Sequence, residues 1–289
     1  MREESSPQDR LRALLAEPRV LTVPTCFDAL SARIALSAGF PAVFMSGFGV
    51  AAARYGVPDI GLVSFGEMVD QLRAICSAVP GMIVFADADT GFGNAVNVTR
   101  TVVEYAKAGA ACIMIEDQVS PKRCGHFDGK QVVSREEARM KVRAAVEAAR
   151  AANILVLART DARAVHGFDE ALGRCRDFAD EGADIVFLEA PHSAQELAAF
   201  VRGSTKPTMA NIVIGGKTPV LTPHELADIG VRVAIYHPLF FSAVHAMRQA
   251  AHALHMNDVA ALPPMATMDD VKTLLDMTAY DALAKRYGA

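Results

Sequence analysis

Eight short apolar runs recur along the chain: VLTVP (20–24), AVFMS (42–46), MIVFAD (82–87), ACIMIED (111–117), ILVLART (154–160), DIVFLEA (184–190), PTMANIV (207–213) and VAIYHP (233–238). None alternates apolar with polar. Continuous runs predict strands covered on both faces, as in a parallel sheet. Between them lie segments with helical spacing, among them SARIALSAGF, SFGEMVDQLRAICSAV, NVTRTVVEYAKAGA and SREEARMKVRAAVEAARAA. Ser134 followed by Glu137 reads as a capping box opening the last of these. The triplets AGF, AGA, EGA and IGV each close a helix ahead of a strand, with glycine suited to the left-handed C-terminal position.

Eight such units within 289 residues predict one α/β domain, a closed (β/α)8 TIM-type barrel, rather than an open sheet. Residues 263–289 follow the eighth unit and carry a further helical pattern, MDDVKTLLDMTAYDALAKRY. This C-terminal helix is an appendage: a cap on its own barrel, or a segment exchanged between subunits. The chain is 52% apolar with a net charge of −4, so it has no basic footprint for nucleic acid. No apolar run is long enough to span a bilayer, and the N-terminus lacks the apolar stretch of a signal peptide. Five cysteines without metal-type spacing suit free thiols in the cytoplasm.

In such a barrel the active site forms where the strands end. Those ends carry Ser46 and Gly47, Asp87 and Asp89, Glu116 and Asp117, Arg159 and Asp161, Glu189, Asn211 and His237. Asp87 and Asp89 lie two apart and would both face the mouth if the chain stays extended; Glu116 ends the neighbouring strand. Three carboxylates without nearby histidine or cysteine favour a hard, water-keeping cation, Mg²⁺ or Mn²⁺. Arg159 offers a planar fork for a carboxylate, or pairs structurally with Glu189 or Asp161. GFGN (91–94) lacks the spacing of a nucleotide loop. The loop VSPKRCGHFDGK (119–130) gathers Lys122, Arg123, Cys124 and His126 over the same mouth. A Cys-x-His pair without further partners does not make a zinc site, which leaves Cys124 as nucleophile or proton donor.

Taken together, Ser46-Gly47, GVPDIG with Asp59, DADTGFGN, IEDQ, PKRCGH, ARTDA, FLEA and NIVIGGKTP resemble the isocitrate lyase/phosphoenolpyruvate mutase superfamily, from about residue 12 to the C-terminal helix. The resemblance implies a homotetramer that exchanges a late helix, Mg²⁺ chemistry and a small carboxylate substrate. Cys124 matches the lyase branch, whereas mutases and phosphonopyruvate hydrolases usually carry Asn there. Lyases of this kind split a 2-hydroxy di- or tricarboxylate into a 2-oxo acid and a second carboxylic acid. By this likeness Cys124 protonates the departing carbon, in a positive setting made by Lys122, Arg123 and His126. Asp87 holds the metal directly, with Asp59, Asp89 and Glu116 reaching it through waters. Ser46, Gly47 and Phe48 cradle the oxo-acid carboxylate, Arg159 clamps it, and Gly125, His126, Glu189 and Asn211 line the rest of the pocket.

Three positions depart from the pattern: Phe44 replaces a tyrosine proposed as base, Phe48 replaces a glycine, and Ile214 stands where many relatives carry glutamate. They leave a metal-bound hydroxide or Asp59 as candidate base. They also favour alkylmalates such as 2,3-dimethylmalate over 2-methylisocitrate, because a third carboxylate would meet an apolar wall. Oxaloacetate hydrolysis or decarboxylation, and carboxyphosphonoenolpyruvate rearrangement, are the alternatives within the resemblance.

Overall fold

The computed structural model describes residues 5–125 and 127–288. Eight parallel strands close a barrel in chain order: β1 (Leu21–Cys26), β2 (Ala42–Met45), β3 (Ile83–Asp87), β4 (Cys112–Glu116), β5 (Leu155–Thr160), β6 (Ile185–Leu188), β7 (Thr208–Ile212) and β8 (Val233–Tyr236). Pairing of Leu21 with Val233 and Thr22 with Ala234 closes the ring.

Strand period two divides the core into two shells. One set points outward beneath the helices and includes Val43, Val84, Ile113, Val156, Val186 and Ala210, packed with Leu72, Tyr105, Phe178 and Phe200. The other set fills the barrel: Phe44, Phe85, Met114, Leu157, Phe187, Met209 and Ile235 lie above Leu21, Ile83, Cys112, Leu155, Ile185 and Val233. Leu11 and Leu15 of the first helix, Pro7–Ala16, join the inner set beside the strand starts and stopper that end.

The glycine-marked helix ends behave as their spacing predicts: Gly39, Gly109, Gly182 and Gly230 all have positive φ. Ser134 accepts from the Glu137 N–H, which is the serine half of the expected capping box. The tail does not form one helix. It breaks at Asp276, which has φ 55°, into Met268–Leu274 and Met277–Tyr287, and neither piece buries a residue. The Arg33 guanidinium donates to the Leu274 carbonyl (3.2 Å), linking the tail to the helix Ala29–Ser37. No helix among the described residues is long and apolar enough to cross a membrane.

Candidate active site

The inner shell turns polar in one step. Two residues beyond the apolar layer of Phe44, Phe85, Met114, Leu157, Phe187, Met209 and Ile235, the same inward face presents Ser46, Asp87, Glu116, Arg159, Glu189, Asn211 and His237. A cavity of about 280 Å³ opens over this layer, and Asp59, Lys122, Cys124 and Gly125 also line it.

Asp87 and Asp89 meet at the mouth, but by a different route from the extended one expected. Asp89 has φ 48°, a turn conformation that aspartate tolerates, and its N–H donates to Asp87 Oδ1 (3.0 Å). Its own Oδ1 pairs with Lys122 Nζ at 2.8 Å, and Lys122 also pairs with Asp59 Oδ1 at 2.6 Å. Asp59 and Asp89 are thus joined through the loop lysine. The Gly47 N–H donates to Asp87 Oδ2 (3.1 Å), and a Cβ on Gly47 would stand 2.8 Å from that oxygen, so only glycine lets the chain approach so closely. Ser46 accepts from the Gly49 N–H (3.2 Å), which leaves its own proton to give. The Gly47 N–H expected in the carboxylate cradle thus faces Asp87, while Ser46 and Phe48 line the cavity.

Arg159 is held by three carboxylates: Asp161 bidentately (2.8 and 3.0 Å), Glu116 Oε2 at 3.2 Å and Glu189 Oε2 at 3.3 Å. The structural pairing considered for it is present with both Glu189 and Asp161, and the residue still lines the cavity. Asn211 Nδ2 donates to Glu189 Oε2 (3.3 Å), which turns its Oδ1 toward His237 Nε2 at 2.7 Å. That assignment puts a proton on Nε2 and lets His237 Nδ1 accept from the Thr25 hydroxyl (3.3 Å).

The 119–130 loop lies over this layer. Cys124 N–H donates to the Asp59 carbonyl (3.0 Å). Gly125 packs so tightly that a Cβ there would be 2.5 Å from Arg159 Nη2 and 2.8 Å from Glu189 Cδ. Buried Lys130 donates to the Gly125 carbonyl and pairs with Asp161 at 3.1 Å. One loop residue lies apart from the cavity. The Arg123 side chain is exposed and does not line the cavity, because its neighbours Lys122 and Cys124 turn inward and leave it outward. His126 lies outside the described residues.

Six buried carboxylates (Asp59, Asp87, Asp89, Glu116, Asp161, Glu189) face three buried cations, Lys122, Lys130 and Arg159. Burial, reinforced by Asp87 and Asp59 against the pull of Lys122, pushes Asp89 up to about 6. Burial pushes Glu116 well up too, although Arg159 opposes it. For Lys122 and Arg159 burial works against the charge, but the surrounding carboxylates outweigh it and hold both protonated. Glu116 Oε1 is buried without a hydrogen-bond partner among the described residues. Among the described residues no three His, Cys, Asp or Glu side chains form a ready ligand set. An acidic surplus, an unsatisfied carboxylate oxygen and dispersed donors suit a divalent cation that keeps most of its waters.

Beyond Phe44, Phe48 and Ile214, sequence reasoning missed part of the apolar lining: Phe187 and Met114 just below the polar layer, Phe127 on the loop, and Phe241 on the helix after β8. Inward period two marks the first pair. Nothing in the local pattern marks Phe241, which arrives by packing between Phe48 (ring centroids 6.4 Å) and Phe240 (5.7 Å).

Comparison with known proteins agrees with this geometry. The family described as phosphoenolpyruvate phosphomutase matches residues 11–255. The chain is 42% identical to the 2,3-dimethylmalate lyase of Eubacterium barkeri over 271 residues, covering 93% of each chain. An oxaloacetate acetylhydrolase, solved with the inhibitor 3,3-difluorooxalacetate, superposes with a TM-score of 0.93 at 33% identity, covering 98% of each chain. A phosphonopyruvate hydrolase solved with oxalate and Mg²⁺ superposes with a TM-score of 0.86 at 30% identity, covering 99% of this chain and 100% of that one. The chain belongs to the phosphoenolpyruvate mutase/isocitrate lyase superfamily, as an enzyme of the carbon–carbon lyase type.

Proposed function

We propose that the protein is a Mg²⁺-dependent lyase that cleaves a small alkyl-substituted malate, such as 2,3-dimethylmalate, into pyruvate or a related 2-oxo acid and a second carboxylic acid. One observation carries this reading: a single cavity joins Asp87, Lys122, Arg159 and Cys124 to an apolar wall of Phe44, Phe48, Ile214, Ile235 and Phe241. An alkyl substituent fits that wall, whereas a third carboxylate would be desolvated there without a partner. The 42% identity to a 2,3-dimethylmalate lyase supports the same substrate class.

Asp87 would hold the cation, with Asp59, Asp89 and Glu116 as its acidic neighbours. When bound, Mg²⁺ polarises the 2-hydroxyl and its neighbouring carboxylate. Arg159 and Ser46 fix that carboxylate. Asp59 lines the cavity and takes the hydroxyl proton. The oxygen electrons then form the new carbonyl, the carbon–carbon bond breaks, and its electron pair passes to the departing carbon as an enediolate. Lys122, held between Asp59 and Asp89, supplies positive charge near this group. Cys124 delivers its thiol proton to the carbon, and the covering loop keeps water from doing so first.

The similarity to oxaloacetate acetylhydrolase favours a second reading, hydrolysis of oxaloacetate to oxalate and acetate at the same bond. Incubating purified protein and Mg²⁺ with alkylmalates and with oxaloacetate separates the two. Release of a 2-oxo acid from an alkylmalate is expected; oxalate from oxaloacetate alone would replace the lyase reading. Phosphorus NMR on phosphonopyruvate checks for phosphonate chemistry, and no turnover is expected. The five cysteines form no disulfide, in keeping with a cytoplasmic enzyme. We place the protein in a homotetramer exchanging the C-terminal segment, supported by the unburied tail helices.

A further inference from the structure

Gln118 does not line the cavity, yet it is only 1% exposed and uncharged. It leaves β4 two residues after Glu116, and its backbone forms an antiparallel bridge with Val132 at the base of the loop. Its side chain reaches across that loop. Nε2–H donates to the Arg123 carbonyl (2.8 Å), and Oε1 accepts from the Arg123 N–H (2.9 Å). One primary amide therefore engages both main-chain groups of the residue just before Cys124. The peptide joining Arg123 to Cys124 is held at both ends, because its N–H, that of Cys124, donates to the Asp59 carbonyl (3.0 Å). Arg123 is thus anchored through its backbone while its side chain stays in solvent.

We propose that Gln118 is a positioning residue for Cys124, its planar amide fixing the height and orientation of the thiol over the site. The inference rests on the reading of Cys124 as proton donor. A planar amide bound at both ends restrains rotation as well as distance, and proton transfer to carbon needs both. If the loop lifts away, the buried amide loses two partners, a cost of the kind that keeps a loop closed. Lys130 holds the other side of Cys124 through the Gly125 carbonyl, but it is tied to Asp161 and the Arg159 fork. Gln118 acts on the thiol side through the Arg123 backbone and makes no bond to the substrate clamp.

The test uses the full-length Gln118→Met protein, which keeps the length and volume of the side chain and removes both hydrogen bonds. Expected are a fall in kcat of about 30-fold, since a displacement near 1 Å costs up to about 100-fold, with KM changed less than about 3-fold. Iodoacetamide should modify Cys124 at least about 5-fold faster, followed by mass on the Cys124 peptide so that the other four thiols do not interfere. Gln118→Glu keeps the acceptor for the Arg123 N–H, loses the donor, and should fall between the two. If the methionine variant fails to fold, the glutamate variant carries the same two readouts. Wild-type kcat, or lowered kcat with an unchanged alkylation rate, overturns the proposal. Failure of the proton-donor reading looks different: Cys124→Ser would then retain turnover, while alkylation would still quicken in Gln118→Met.

Discussion

The barrel mouth buries charge, and the C-terminal helices expose carbon. At the mouth Asp59, Asp87, Asp89, Glu116, Asp161 and Glu189 are each under 9% exposed. On the tail Met268, Leu275, Met277, Tyr280 and Leu283 are between 45% and 70% exposed. Transfer free energies favour the opposite arrangement in both places. Each region is therefore incomplete in one chain, though in different ways. The mouth has fixed geometry and surplus negative charge, which calls for a cation and a ligand with its own polar groups. The tail has two helices that bury no residue, the first lying against the helix Ala29–Ser37 with Arg33 bonded to the Leu274 carbonyl, which calls for another protein surface.

The sharpest break in the comparison comes from removing the charge at the anchoring position. Asp87→Ala should lower kcat/KM on the order of 10³-fold or more and abolish the response to added Mg²⁺. Steady-state rates over a Mg²⁺ titration check this. An unchanged apparent Mg²⁺ affinity would remove Asp87 from the metal site, and the buried negative charge would need another explanation.

Next in size is Cys124→Ser, which keeps the shape of the loop and replaces a thiol by a far weaker acid. A fall in kcat of about 100-fold is expected with little change in KM, because the proton moves only as the carbanion forms. Parallel loss of substrate binding would make Cys124 part of the pocket wall rather than the proton donor. The Gly125 backbone, pressed against Arg159 and Glu189, is why serine rather than a larger residue is the informative replacement beside it.

Much of the mouth was legible because strand periodicity is local. Once a run such as MIVFAD or DIVFLEA is read as a strand, the inward positions follow, and Asp87 and Glu189 fall on one ring. What crosses between units was not legible. The Lys122 link to Asp59 and Asp89 joins the loop after β4 to segments 63 and 33 positions upstream, with no pattern in common. Gln118 was read as part of the motif IEDQ, but its bond to the Arg123 backbone depends on how the loop folds back. The tail was misread for a related reason. Its apolar spacing runs through residue 276 without interruption, and only the left-handed turn at Asp276 divides it.

A smaller effect probes the apolar side of the cavity. Ile214→Glu puts a carboxylate on the apolar wall of the cavity. Relative kcat/KM should shift about 10-fold from 2,3-dimethylmalate toward 2-methylisocitrate, the order of magnitude of one altered pocket contact. Competition between the two substrates in one reaction measures the ratio directly. No change would mean that the substituent does not reach the β7 loop, and Phe44, Phe48 and Phe241 would be left to account for selectivity.

The smallest effect on the barrel itself should come from deleting residues 263–289. These helices bury no side chain within the chain, so their loss removes no core contact, and the truncated barrel should keep its far-ultraviolet circular dichroism per residue. Its mass in solution should drop from four chains to fewer, measured by sedimentation. At high dilution the melting temperature of the full-length protein should fall toward that of the truncated one, because assembly stabilises by mass action. A truncated protein that stays tetrameric would show that the exposed face of the helix Pro238–His255, with Phe241, Met247 and Leu254, carries assembly without the tail. A truncated protein that unfolds as a single chain would contradict the contrast itself, since the tail would then stabilise its own barrel and its exposed carbon would not mark an interface.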